Sequence, residues 1–415
     1  MRSEGRPAET PPRTVGRSES DALRERLRTL FAALSRAPDF DAPELQAFDA
    51  ADELLLLTLA QEIADAGTPI GAGELVVIGD HHGALALGAA SVLGLHGIRV
   101  YQDPLLGERA LHANAARLGI DAPASHGALD AALLGGARLV LLRLPRGLDA
   151  LAEIAEAIAR CAAPDVRVLA GGRVKHMTLA QNQVLARSFA LVRAGLARRK
   201  ARVLTASAPV ANGDGSKNGP ASSGGAGPAP RWGSDPALSF RVAAFGATFG
   251  GPTLDRGSRL LLAGLDDAAP GARRIVDLGC GTGVLAVSAA LARPEARVIA
   301  TDQSSAAVAA TRCTAEAAGV AERIEIHRAD ALEAVPEGWA ELILLNPPFH
   351  TGATVHAGVA HRLIRSCARV LAPGGELRLV FNSPLAYRPL VEREIGPARQ
   401  IDRDRTFTVL AARRR

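Results

Sequence analysis

The chain has 415 residues, 48% of them hydrophobic, and a formal net charge of +5. That length exceeds one hydrophobic core and fits two domains of ordinary size. Cys161, Cys280, Cys313 and Cys367 are too few and too scattered for a disulfide framework, no Cys/His cluster has metal-ligand spacing, and no apolar run reaches membrane-spanning length.

Residues 1–35 read as a disordered tail and a leading helix. Met1 to about Ser20 is rich in Arg, Glu, Pro and Ser, and Asp21–Ser35 alternates charged and apolar residues at helical spacing. The start lacks the apolar stretch of a secretory signal, so the cytoplasm is the expected compartment. Residues 36–206 form a first domain. Within it, the apolar strand Leu75-Val76-Val77-Ile78 runs into Gly79-Asp80-His81-His82-Gly83 and then an Ala/Leu-rich helix. A second strand ends in Gln102-Asp103, and a third, Leu139–Leu142, ends in Arg143-Leu144-Pro145-Arg146. The basic run Arg198-Arg199-Lys200 closes this half and is a candidate phosphate contact. Residues 207–230, nearly all Ala, Gly, Ser, Pro and Asn, read as a flexible linker.

Residues 231–415 form the second domain. Phe249-Gly250-Gly251-Pro252-Thr253-Leu254-Asp255-Arg256-Gly257-Ser258 precedes a helix expected over 259–265. The strand at Ile275-Val276 enters Asp277-Leu278-Gly279-Cys280-Gly281-Thr282-Gly283, followed by a helix over 284–290. Strand, Gly-rich turn and helix make a nucleotide-type site, because missing Cβ atoms let a ligand approach the backbone. The next strands end in Asp302, placed to accept from ribose hydroxyls, and in Ala329-Asp330-Ala331, where an acid could accept from an adenine amino group. Each acid alone would more often be a helix cap, but three successive strand ends favour a ligand. The apolar run Leu342–Leu345 then ends in Asn346-Pro347-Pro348-Phe349. Prolines donate no backbone hydrogen bond, so their carbonyls stand free beside the Asn346 amide. Two acceptors and a ring, Phe349, suit a planar amino group. Leu371–Val380 reads as a further strand, with Asn382 at its end as another candidate contact to the base.

The two halves repeat one another. Gly turn, strand-end acid and apolar run recur in the same order, and Gly83–Ala90 matches Gly283–Ala290. The first copy has His81 at the middle glycine and Arg143-Leu144-Pro145-Arg146 where the second has Asn346–Phe349. Its acid at the second strand end is Asp103, and Asp80 with the His pair fills the pocket. One active domain and one degenerate copy follow, with Arg143 carrying the right charge for a phosphate.

Taken together, the glycine turn, the serial acids and Asn346–Phe349 resemble the class I S-adenosylmethionine-dependent methyltransferases, in the subset that methylates exocyclic or amide nitrogen. With His350 after the tetrad, the 249–258 run and the 371–382 strand, the chain is similar to the ribosomal RNA guanine-N2 methyltransferases. Its N-terminal half, from Leu45 to Leu56 and at Arg198–Arg202, is nearest the large-subunit 23S member, the small-subunit 16S member coming next. The resemblance implies α/β architecture: two tandem Rossmann-like domains with mostly parallel sheets, the first degenerate and serving RNA binding or the folding of its partner. It implies S-adenosyl-L-methionine as cofactor and ribosomal RNA or a ribosomal subunit as partner, with a monomer expected. Asp277, Gly279, Gly281 and Gly283 would face the methionine moiety, Asp302 the ribose, and Asp330 with Ala331 the adenine. Asn346 and Pro347 would accept from the target amine, beside Pro348 and Phe349, while His350 and His356 would shape the acceptor loop. Adenine-N6 or glutamine-N5 transfer on the same tetrad, or a non-catalytic RNA-binding assembly factor, are the alternatives.

Overall fold

The computed structural model describes residues 17–42, 44–210, 227–347 and 357–415. The N-terminal half carries β1 (Leu75–Ile78), β2 (Arg99–Tyr101), β3 (Ala124–His126), β4 (Leu139–Arg143), β5 (Arg167–Arg173), β6 (Phe189–Ala194) and β7 (Ala201–Pro209). These form one seven-stranded sheet in the order β3-β2-β1-β4-β5-β7-β6. Pairing is parallel from β3 to β5 and antiparallel at the β5–β7–β6 edge. Its helices are α1 (Arg17–Ala32), α2 (Ala50–Ala66), α3 (Ala84–Ser91), α4 (Leu105–Leu118), α5 (Ala131–Leu134), α6 (Leu148–Cys161) and α7 (Leu179–Leu185). All four residues of β1 are buried, as expected of a parallel strand covered on both faces.

The C-terminal half begins with a hairpin of β8 (Arg231–Gly233) and β9 (Val242–Ala244), then α8 (Arg256–Ala263). Its sheet strands are β10 (Arg274–Leu278), β11 (Arg297–Asp302), β12 (Ile324–Arg328), β13 (Ala340–Leu345), β14 (Leu371–Asn382), β15 (Ala398–Arg403) and β16 (Phe407–Arg413). The order β12-β11-β10-β13-β14-β16-β15 is the N-terminal order over again. The helices α9 (Val284–Ala292), α10 (Ser305–Ala317), α11 (Ala357–Val370) and α12 (Arg388–Glu394) complete this half. The architecture is two tandem Rossmann-like α/β units with mostly parallel sheets. No helix among the described residues is long and apolar enough to cross a membrane.

Strand register makes the repeat exact residue by residue. Ile78 pairs with Tyr101 and Leu142, and Leu278 pairs with Thr301 and Leu345. Arg143 therefore stands at the place of Asn346, as expected. Gln102, not Asp103, stands at the place of Asp302, which corrects the sequence alignment of the two acids by one residue. The leading helix starts at Arg17, inside the segment expected to be disordered. Its Leu27 and Phe31 are buried in the N-terminal core, and that burial draws the helix onto the first domain.

The two halves meet at like corners. Leu105 N–H donates to Gln303 O, and Ser305 N–H donates back to Asp103 O. The Asp103 carboxylate accepts from Ser304 Oγ, Ser305 Oγ and the Ala306 N–H at 2.9, 3.1 and 2.9 Å. It thereby caps α10 from the other domain. Arg328 binds Glu108 at 2.8 Å and the carbonyls of Gln102 and Asp103. Arg109 pairs with Glu333, whose Oε1 also accepts from the Asp330 N–H.

Candidate active site

The Gly-rich turn leaves β10 and enters α9. Gly279, Gly281 and Gly283 have φ of 76°, 55° and 78°, the left-handed region where glycine carries no Cβ penalty. A Cβ on Gly279 or Gly281 would project into open space, whereas one on Gly283 would strike Thr311. The first two glycines thus line a cradle, and the third lets α9 pack closely against α10. Thr311 also fixes the turn, donating to Cys280 Sγ and Gly281 O at 3.2 Å each.

Two acids border that cradle. Asp277 is buried, and its Oδ2 accepts from the Ala286 N–H at 2.9 Å, capping α9 from the strand. Its Oδ1 is buried with no partner among the described residues. Burial pushes its carboxyl up to about 7 against the hydrogen bond from Ala286, with Asp302 nearby adding to the rise. Asp302 accepts from Gly281 N–H at 3.1 Å and Ser304 N–H at 2.9 Å, and burial raises it to about 6. Asp330, at the third strand end, is held by the two terminal guanidinium nitrogens of Arg362 at 3.2 and 3.0 Å. Its pKa is raised by burial, opposed by Arg362. Ala331 beside it has φ of 51°.

At the end of β13, Asn346 Nδ2 donates to Asp255 Oδ1 at 3.0 Å and to Ser258 Oγ at 3.1 Å. Asn346 Oδ1 is buried and has no partner among the described residues, and Asn382 Oδ1 at the end of β14 is in the same condition. Pro347 is buried. Pro348, Phe349, His350 and His356 lie outside the described residues.

The N-terminal counterpart is built differently. Arg143 reaches Asp49 and Asp52 at 2.8 and 3.0 Å and is largely buried. This corrects its reading as a phosphate contact, since both its charge and its fork of donors are already taken. Asp80 turns away from the pocket: its two oxygens accept from Leu85 and Ala86 N–H, taking over for α3 the capping that Asp277 gives α9. His81 keeps the left-handed φ, 58° against 55° at Gly281, with its side chain exposed. His82 is buried, facing Asp39 at 3.1 Å and Ala47 O. Arg199 pairs with Glu53 at 3.0 Å, while the side chains of Arg198 and Lys200 are exposed.

Thr311 and Arg362 were not singled out by sequence, Asp255 and Ser258 were named only within the 249–258 run, and Asp103 was read as a strand-end acid without its contact to the other domain. Asp255 stands 91 residues from Asn346, so only the fold reveals the contact. The one available signal was the run Leu254–Ser258, an N-cap acid before an apolar helix.

The strand order, the glycine cradle and the strand-end acids define a methyltransferase of the Rossmann-like class, and a Methyltransferase small domain family model matches residues 239–411. A second, the RLMG N-terminal domain, matches residues 24–210. The chain is 35% identical to the ribosomal RNA large subunit methyltransferase G of Streptomyces coelicolor, covering 91% of this chain and 97% of that protein. It is 34% identical to the protein of that name from Pseudomonas entomophila, over 92% of this chain and 97% of the relative. A T. thermophilus 16S rRNA N2-guanine methyltransferase, solved with AdoMet and guanosine, shares the fold at a TM-score of 0.67 and 21% identity. That match covers 91% of this chain and 97% of the other. The chain belongs to the ribosomal RNA large subunit methyltransferase G family.

Proposed function

We propose that this chain methylates the exocyclic N2 of a guanine in ribosomal RNA, with the large-subunit 23S RNA as substrate. The names of the relatives support the choice of subunit. The observation that carries the reading is Asn346 Oδ1, a buried acceptor with no partner among the described residues, at the end of the strand that pairs with the one entering the glycine turn. An unpaired buried acceptor costs about 1–3 kcal/mol, which a donor amino group would repay.

The residues fit S-adenosylmethionine. Open space beside Gly279 and Gly281 admits the methionine moiety, and the unpartnered Asp277 Oδ1 suits its ammonium end. Asp302 would take the ribose hydroxyls, and Asp330 with the Ala331 backbone the adenine. When bound, the cofactor supplies an electrophilic methyl group on a sulfonium sulfur. Asn346 Oδ1 and the Pro347 carbonyl each accept one N2 proton, turning the amine lone pair toward the methyl. Phe349 would stack on the base, with Pro348 fixing its approach and His350 and Asn382 completing the acceptor pocket. Positioning of this kind is worth up to about 7–11 kcal/mol of barrier. The amine becomes a strong acid once alkylated and loses its proton to solvent, so no strong base is needed.

In the same reading the N-terminal domain is a non-catalytic copy that helps bind RNA through Arg198 and Lys200, and the chain acts as a cytoplasmic monomer. The copy has a side chain at the middle glycine, Gln102 at the ribose acid and an ion-paired Arg143 at the acceptor amide. The domains divide near 36–206 and 231–415, with α1 joined to the first.

Asn346→Ala should bind S-adenosylmethionine as wild type by isothermal titration but lose about 10²–10³-fold in transfer, the scale seen when one transition-state hydrogen bond is removed. Nucleoside mass spectrometry of ribosomal RNA from a strain lacking the gene should show one missing N2-methylguanosine. Loss of N6-methyladenosine instead would overturn the assignment.

A further inference from the structure

The Asn346 amide has its direction imposed by its neighbours. Nδ2 faces Asp255 Oδ1 at 3.0 Å and Ser258 Oγ at 3.1 Å. A carboxylate only accepts, so turning the amide round would set oxygen against oxygen. Asp255 is itself held fast as the N-cap of α8, its Oδ1 accepting from Gly257 and Ser258 N–H at 2.9 and 3.1 Å. Gly257 keeps the seat open, since a Cβ there would lie 3.1 Å from both Asn346 side-chain heteroatoms.

We propose that Asp255, assisted by Ser258, is the positioning residue of the methyl-acceptor site. It fixes which end of the Asn346 amide meets the target amine. By drawing on an amide N–H it also shifts electron density to Oδ1, making that oxygen a stronger acceptor. The inference rests on the role given to Asn346 above.

The N-terminal copy supports it independently. Asp49 caps α2 as Asp255 caps α8, and Asp52 stands three residues on, as Ser258 does. Both grip Arg143, the register counterpart of Asn346. The same seat thus exists twice, and in each copy it holds a side chain by its N–H groups. Arginine has donors only, whereas asparagine held by its nitrogen still offers an oxygen on the far side. The seat is shared, and the choice of occupant decides whether an acceptor is presented.

The test uses the full chain with ribosomal RNA from the deletion strain. Asparagine caps helices as well as aspartate, so Asp255→Asn keeps α8 intact through Oδ1, the same oxygen that faces Asn346, and replaces a charged acceptor by a neutral one that is free to turn. We expect kcat to fall about fivefold, below the loss for a directly removed contact, because a charge-assisted hydrogen bond gives way to a neutral one worth about 1 kcal/mol less, with KM, cofactor affinity and melting temperature unchanged. Ser258→Ala should lose about severalfold, one neutral hydrogen bond being worth about 1 kcal/mol. Asn346→Asp alone should be nearly inactive, because two carboxylates would face each other. Combined with Asp255→Asn it should recover at least about tenfold, because one of the two facing carboxylates becomes a neutral amide that can turn its N–H toward the acid at 346, with a lower melting temperature as α8 loses its Oδ1 cap. Wild-type kcat in Asp255→Asn, a loss confined to cofactor affinity or melting, or no recovery in the double variant would overturn the inference while leaving an active wild type and an inactive Asn346→Ala in place. An inactive wild type would overturn the functional reading and this inference with it.

Discussion

Asp103→Ala tests whether the first domain builds part of the second domain's cofactor site. Asp103 accepts three hydrogen bonds across the domain boundary, from Ser304 Oγ, Ser305 Oγ and Ala306 N–H. Ser304 in turn donates its N–H to Asp302, the acid assigned to the ribose. Losing an N-cap costs about 0.5–2 kcal/mol, and each neutral hydrogen bond is worth about 1 kcal/mol net. Ser304 Oγ still accepts from Ala307 N–H, so α10 keeps a cap of its own and the helix should survive. We therefore assign about 1–2 kcal/mol to misalignment of the 302–304 segment, which predicts about 5- to 30-fold weaker cofactor binding. Isothermal titration of Asp103→Ala and Asp103→Asn measures it; the asparagine variant keeps an acceptor and should lose less. Wild-type affinity in Asp103→Ala, with unchanged melting, would show that the boundary is a passive contact and that the reasoning is wrong.

Two further outcomes are expected. Gly281→His should fold and melt within a few degrees of wild type, because His81 already occupies the equivalent left-handed position, yet it should lose cofactor binding on titration as the side chain enters the cradle. The pH dependence follows from Asp277, whose carboxyl is raised from 3.8 to about 7 by burial. The unfolded chain gives up that proton first, so between about pH 4 and 7 the native state binds more protons and the cofactor-free protein loses stability as pH rises. The ammonium end of the cofactor favours the ionised acid, so affinity should tighten up to about tenfold from about pH 6 to 8. In Asp277→Asn the affinity dependence should flatten and the stability dependence shrink, Asp80, Asp302 and Asp52 carrying the remainder, read by titration and melting.

Much of this was legible in the sequence because the requirements are local. A turn that needs left-handed backbone at Gly279, Gly281 and Gly283 must advertise glycine, and a strand buried on both faces must be an apolar run such as Leu342–Leu345. The contacts that were missed are long-range. Arg143 looked like a free cation until the fold brought Asp49, 94 residues away, against it. Asp103 looked like the partner of Asp302 because it is the acid at that strand end, whereas the offset from the glycine turn and the strand register both put Gln102 there. The helix at Arg17 was hidden because its polar start resembles a tail, and its anchoring residues, Leu27 and Phe31, come a turn or more later.

The reciprocal bonds at the domain boundary have a consequence for how such a chain could arise. Leu105 to Gln303 and Ser305 to Asp103 are the same bond with the halves exchanged. A contact that maps onto itself in this way is the isologous pairing of a twofold dimer. Joining the partners in one chain frees the pairing from dilution. It also ends the rule that every substitution appears on both sides. Position 103 can then be an acid that clamps its neighbour while position 303 is glutamine, and a seat once duplicated can hold arginine in one half and asparagine in the other. Fusion converts symmetry into division of labour.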